Sequence, residues 1–191
     1  KRVVGDTSAR KINECIQKVV NPEDYLEQVT INKKDGDTPY SITFKPGDKI
    51  RVTKNCYTTR TLDGKITPVF NGNIGIIQRI EDGGMVVEFL QGLVWIPEEQ
   101  FIELELGYAI TCHSAQGSGF PYVITICDTG SYVLLSKEWL YTAITRCKQY
   151  NTLIGQPAAI RRACSVTGIK YKRTWLKELI INLFESKQGE I

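Results

Sequence analysis

A chain of 191 residues fits one domain, or one domain carrying a small insertion. Its 42% hydrophobic content supports a packed core, and a formal net charge of +3 is compatible with nucleic acid without demanding it. One histidine and six cysteines with no C-x-x-C pair argue against zinc, and no run of 18 apolar residues exists to span a bilayer.

The cysteines (Cys15, Cys56, Cys112, Cys127, Cys147 and Cys164) mostly sit in apolar runs, where thiols act as small hydrophobes. Their even number leaves disulfides open, but a reducing, cytoplasmic setting is the expectation. No signal peptide is visible, and a start at Lys1-Arg2-Val3 suggests a piece of something longer.

Gly5-Asp6-Thr7-Ser8 is a turn and cap cluster. A helix is predicted over residues 9–20, with Ile12, Cys15, Ile16, Val19 and Val20 as its apolar stripe and Asn21-Pro22 as its stop. Residues 23–45 are mixed, with Lys33 to Asp37 as an exposed turn. Asp48–Lys54 sets Ile50 and Val52 against charged neighbours, as in a strand with one wet face. Residues 55–68 read as a long polar loop offering only Leu62 and Ile66 to a core. From Val69 the texture is all-β. Ile74, Ile76 and Ile77 make one strand, Glu81-Asp82-Gly83-Gly84 is a hairpin signal, and residues 85–90 and 93–96 make two more strands. Short strands at this spacing predict a small barrel of roughly 35–50 residues.

The stretch Leu106–Asp128 organises the rest. Tyr108, Ile110 and Cys112 alternate as in a strand. His113, Ser114, Gln116, Gly117, Ser118 and Gly119 form a polar crossing, and residues 122–127 read as a strand buried on both sides. Polar residues between buried strands are where open α/β sheets hold ligands, although an ordinary turn would look the same. Ser136 caps a predicted helix to about Lys148, with Trp139, Leu140, Ala143, Ile144 and Cys147 buried and Thr142 and Arg146 stacked at i, i+4. Residues 150–154 read as another buried strand and 157–165 as a helix with Pro157 in its first turn. Residues 172–185 form a last amphipathic helix, with Trp175, Leu176, Leu179, Ile180, Leu183 and Phe184 on one side. Strand, helix, strand, helix indicates a parallel sheet with crossover helices, so the fold class is α/β with a β insertion.

Arg146 beside a buried stripe has two readings. It snorkels or pairs with a carboxylate, or it is held toward a phosphate as a bidentate donor. His113 is either a surface residue or a ligand contact. A Cys112–His113 thiol pair is discounted, because adjacent strand residues point to opposite faces.

Four blocks carry a resemblance. Gly107–Ile124 (GYAITCHSAQGSGFPYVI) resembles motif V, and Leu140–Lys148 (LYTAITRCK) resembles motif VI, of RecD/TraA-type superfamily 1 DNA helicases. Asn71–Ile77 (NGNIGII) is similar to the start of their SH3-like insertion, and the first 22 residues loosely resemble the motif IV region. The resemblance implies a RecA-like C-terminal domain from residues 1–50 and 101–191, with an SH3-like barrel at 51–100. It places Thr111 and His113 near single-stranded DNA, with Ser114 and Asn71 as further candidates and Arg60 and Lys65 in barrel loops. It places Gln116, Gly117 and Ser118 near ATP, and Arg146 on the γ-phosphate with Tyr141, Thr142 and Thr145 in support; Gln116 and Arg146 are the catalytic candidates. Gly119 stands where many relatives carry an acidic ribose contact, and Ala115 also departs from the usual pattern.

The implied cofactors are ATP and Mg2+, bound mainly by an N-terminal RecA-like domain. Implied partners are single-stranded DNA, that domain and other recombination subunits, with no membrane. No G-x-x-x-x-G-K-[ST] occurs in the chain, so these residues alone are expected not to hydrolyse ATP. The competing readings are a nucleic-acid- or protein-binding module without catalysis and a small-molecule enzyme at the 106–128 edge. The basic run 170–177 reads more readily as a solvated helix start than as a DNA contact.

Overall fold

The computed structural model describes residues 7–23, 27–168, 175–176 and 178–182. They fall into two compact units, Lys1–Ser118 and Gly119–Ile191.

The first unit opens with α1 (Ala9–Val20), whose N-cap Ser8 accepts from the Lys11 amide at 3.3 Å. The helix forms as the pattern predicts, but its apolar stripe faces outward. Cys15, Val19 and Val20 are exposed, and the buried face is polar, carrying Asn13 with Gln17 beside it and Asn21 at the C-cap. The reason is a buried carboxylate. Asp48 accepts from Gln17 Nε2 at 2.5 Å, Asn21 Nδ2 at 2.9 Å, the Lys45 amide at 2.8 Å and the Tyr108 hydroxyl at 3.0 Å. Buried polar groups need partners, and this helix supplies them with its amide side chains.

Strands β1 (Val29–Asp35) and β2 (Thr38–Phe44) form an antiparallel hairpin, closed where Asp35 pairs with Thr38 across Gly36 at φ +57°. The mixed reading of this region missed both strands. Lys33 is buried rather than exposed, donating from Nζ to the Leu104 carbonyl.

β3 (Lys49–Val52), β4 (Arg60–Thr61), β5 (Ile74–Glu81), β6 (Gly84–Phe89), β7 (Gly92–Pro97) and β8 (Leu104–Leu106) make one antiparallel sheet, ordered β4-β7-β6-β5-β3-β8. The hairpin at Asp82-Gly83 stands where the sequence places it. The sheet is open in its pairing, with β4 and β8 at the edges, so the expected closed barrel is corrected to an open sheet that also draws in β8. Its core includes Phe44, Ile50, Val52, Val69, Met85, Ile96 and Leu104. β3 lacks the expected wet face, since Arg51 is buried and paired with Glu105 at 2.9 Å. Residues 55–68 are tied down rather than loose. Cys56 bridges Val69, Arg60 bridges Ile66, and the buried Thr59 hydroxyl donates to the Thr67 carbonyl at 2.6 Å. Leu62 and Ile66 stay exposed.

The second unit is a βαβα arrangement. β9 (Phe120–Cys127) pairs in parallel with β10 (Cys147–Gly155), α2 (Lys137–Ile144) connects them, and α3 (Pro157–Ser165) follows. Cys127, Leu135, Leu140, Ala159 and Ala163 form its core. A side chain at Gly155 would run into the Cys127 carbonyl, so glycine sets the approach of the strand ends. β9 is not buried on both sides: Thr125 and Cys127 point inward, while Tyr122, Ile124 and Ile126 are exposed. Tyr122 stacks on Tyr150 with ring centroids 5.9 Å apart.

Ile144 ends α2 earlier than expected, with Thr145 as C-cap, because Cys147 already enters β10. Of the last predicted helix, residues 176 and 178–182 are helical, and Trp175, Leu176, Leu179 and Ile180 are exposed. Leu183, Phe184, the first six residues and most of the basic run 170–177 lie outside the described residues. All six cysteines are free, and among the described residues no helix is long and apolar enough to cross a membrane.

Candidate functional site

Residues 107–112 do not form the expected strand. Asn13 takes the place of a strand neighbour. Its Oδ1 accepts from the Ala109 amide at 2.7 Å and its Nδ2 donates to the Ala109 carbonyl at 2.8 Å. The chain then turns through a short 3-10 helix, His113–Ala115. Thr111 caps this turn, its Oγ1 taking the Ser114 amide at 3.3 Å and lying 2.9 Å from Ser114 Oγ. Ala115 is buried and pins the turn, while His113, Gln116 and Gly117 are exposed. Gly117 adopts φ +82°, which favours glycine.

The first unit holds a polar groove of about 1260 Å³. It brings together Thr111, His113, Ser114, Gln116 and Ser118 from the turn with Asn71 from the loop before β5. Gly117, Arg60 and Lys65 do not line it. The sequence reading missed Arg10, Tyr40, Arg51 and Lys54, which also line it. Arg10 sits 5.5 Å from the Tyr40 ring centroid and 3.7 Å from Glu14. The lining mixes these cations with Glu14, Glu103 and Glu105, so it is a zone of alternating charge rather than a wholly basic channel. Arg10 and Tyr40 lay in stretches with no motif to mark them; only the fold makes them neighbours.

Tyr141, Thr142, Thr145 and Arg146 form a second cluster, at the end of α2. The Thr142 hydroxyl donates back to the Glu138 carbonyl at 2.7 Å, and the Thr145 hydroxyl donates to the Tyr141 carbonyl at 2.8 Å. Arg146 Nε donates to the Thr142 carbonyl at 3.1 Å, and Nη2 donates to Thr145 Oγ1 at 3.2 Å. The i, i+4 relation of Thr142 and Arg146 therefore survives past the helix end, through a backbone oxygen. Both acceptors are neutral oxygens that orient the guanidinium. The Arg146 carbonyl accepts from the Phe120 amide at 2.8 Å, fixing the residue's backbone to the start of β9.

The Cys56 and Cys127 thiols do not offer a nucleophile. Burial pushes the Cys56 and Cys127 thiols up, away from the reactive thiolate. Among the described residues no cluster of His, Cys, Asp or Glu suits a metal ion.

Residues 106–154 match the family described as the UvrD-like helicase C-terminal domain. An ATP-dependent RecD2 DNA helicase from Deinococcus radiodurans is 33% identical over 104 residues, covering 54% of this chain and 13% of the relative. A RecBCD enzyme subunit RecD from Mycobacterium tuberculosis is 26% identical over 144 residues, covering 75% of this chain and 24% of the relative. The chain thus spans less than a quarter of the length of either. A crystal structure of a Pif1 helicase from Bacteroides, in complex with ADP-AlF3 and ssDNA, has the same fold. The likeness has a TM-score of 0.52 at 19% identity, over 93% of this chain and 43% of that one.

Proposed function

We infer the role of this chain from its kinship: it is homologous to RecD-type superfamily 1 DNA helicases and carries a UvrD-like helicase C-terminal domain match over residues 106–154. It acts as the C-terminal motor segment of an ATP-dependent DNA helicase. In this reading residues 1–50 and 101–191 are the RecA-like frame and 51–100 a β insertion. The single observation that supports it most is the groove, which gathers four DNA candidates (Asn71, Thr111, His113 and Ser114) with Gln116 and Ser118 from the candidate ATP turn. A nucleotide-sensitive turn that shares one groove with a strand-binding surface is what coupling of hydrolysis to translocation needs.

Arg146 serves as the arginine finger. Two hydrogen bonds hold its guanidinium in one orientation, which suits a planar donor that must meet the charge developing on a transferred phosphoryl group. Thr142 positions it through a carbonyl and Thr145 through a hydroxyl, while exposed Tyr141 is a nucleotide contact. The donor chemistry of the Arg146 guanidinium, the Gln116 amide and the Ser118 hydroxyl, each taken within its own unit, suits ATP phosphate oxygens. It does not fit Mg2+, since no suitable acidic cluster lies among the described residues. The metal ligands and the phosphate loop belong to an N-terminal RecA-like domain. Single-stranded DNA and that domain are the partners, recombination subunits are further ones, and the setting is the cytoplasm. A binding module without catalysis is not favoured, because such a module has no use for an oriented arginine within the block that resembles motif VI.

Replacing Arg146 with alanine in the full-length protein should cut DNA-stimulated ATP turnover about 10³-fold or more. Nucleotide affinity should change far less. Turnover within a few-fold of the unmodified protein would remove Arg146 from this role. The 191 residues alone should show no steady ATPase activity.

A further inference from the structure

Two large aromatic rings stand outside the core of the first unit with no structural duty to explain them. Tyr57 is 61% exposed and Phe70 47% exposed. Their ring centroids are 6.2 Å apart, with planes at 80°. Their backbone is anchored from beneath. Cys56 and Val69 exchange both backbone hydrogen bonds, at 2.8 and 2.9 Å, and both are buried. The residue beside each on the bridge, Tyr57 and Phe70, is thereby turned outward.

The surroundings of the rings are amide-rich. Asn55 Nδ2 donates to the Tyr57 hydroxyl at 3.1 Å, and Asn55 Oδ1 accepts from the Asn71 amide at 2.9 Å. Asn73 Oδ1 accepts from the Phe70 amide at 2.8 Å. Lys54, Asn71 and Asn73 line the polar groove that also holds Thr111, His113 and Ser114. The aromatic pair is thus tied by hydrogen bonds to the groove's rim. Lys54 keeps an ammonium there, 72% exposed and 3.5 Å from Glu103.

We propose that Tyr57 and Phe70 form a stacking subsite for an unpaired base, where a single strand lying in the groove leaves it beside Asn71. The inference rests on the functional reading above and adds a contact which that reading does not contain. A stiff exposed ring gives a base its π-face at small entropic cost. Asparagine amides match the donor and acceptor edges of a base, and Lys54 matches a phosphate. The partners that hold the pair are asparagines, Asn55 on the Tyr57 hydroxyl and Asn73 on the Phe70 amide, which suits a polar ligand better than an apolar peptide. Because stacking is indifferent to base identity, the subsite binds strand without reading sequence.

The test uses the full-length protein and an oligothymidylate carrying 2-aminopurine, titrated by fluorescence at several salt concentrations. Tyr57→Ala with Phe70→Ala should weaken binding about 5- to 100-fold and abolish the stacking-dependent change in 2-aminopurine fluorescence. The slope of log affinity against log salt should stay unchanged, because no charge is removed. Lys54→Ala should instead flatten that slope by about 0.7 to 1. Tyr57→Trp with Phe70→Trp should keep affinity, and Tyr57→Leu with Phe70→Leu, apolar but unable to stack, should lose it. The leucine pair also serves if the alanine pair fails to fold. Normal affinity and fluorescence in the leucine pair, with tight binding by the unmodified protein, would overturn the subsite and leave the helicase reading standing. Absence of strand binding by the unmodified protein would overturn both.

Discussion

The two units of the chain bury themselves very differently. The first places Phe44, Ile50, Val52, Met85, Ile96 and Leu104 in one dense interior and adds a buried carboxylate that gathers side chains from a helix and a loop. The second has a small core around Leu135 and Leu140, and it leaves Tyr122, Ile124, Tyr150 and Ile154 in the open on a two-stranded parallel sheet. Parallel sheets are ordinarily covered on both faces. The difference teaches that the first unit gathers much of its apolar bulk into one interior, whereas the second leaves apolar strand faces exposed.

Substitutions can break or sharpen that contrast. The largest effect is expected at Asp48. Asp48→Ala would strand the donors of Gln17, Asn21 and Tyr108 and should cost about 3 kcal/mol in chemical denaturation. A loss under about 1 kcal/mol would show that water replaces the carboxylate, and that the first unit is less tightly satisfied than its geometry implies.

A smaller effect is expected at Tyr108. Burial, and secondarily the Asp48 charge, push its phenol up from 10 to about 12. The folded state holds this proton to higher pH than the unfolded chain does. The associated stability is therefore complete below pH 10 and is lost as pH rises through about 12. Tyr108→Phe should cost about 1 kcal/mol at neutral pH and flatten the decline of stability between pH 10 and 12. An unaltered alkaline decline would assign it to another group.

The smallest effect is expected on the open face of β9. Ile124→Ser should change stability by less than about 0.5 kcal/mol if the face meets water. A loss of about 2 kcal/mol in the full-length protein would show instead that the face is covered there.

Much of this architecture was legible in the chain. The helix after Ser8, the hairpin at Asp82-Gly83, and the strand, helix, strand, helix order after residue 119 all follow from period and turn chemistry. What the pattern could not reveal was which side of an element faces inward. Helical periodicity finds the apolar stripe of α1, but Asp48, 28 or more residues away, decides that the polar side is the one buried. β9 carries a run of Val and Ile suited to burial, yet only Thr125 and Cys127 turn inward among the described residues. Residues 107–112 alternate like a strand but pair with an asparagine side chain instead of another strand. For the candidate site, local motifs marked Thr111, His113 and Ser114, which line the groove, and Arg146, which belongs to the cluster at the end of α2. Arg10, Tyr40 and Lys54 reach the same groove from distant parts of the chain, and no local signal marks them.

The double grip of Asn13 on Ala109 carries a mechanical consequence. Helix and turn are fastened by two bonds from one side chain, 96 residues apart in sequence. A slip of about 1 Å would stretch both past bonding distance together, so the fastening holds or releases as a unit. A load on the helix therefore reaches the chain two residues before Thr111, shared with the Gln17 and Asn21 bonds to Asp48.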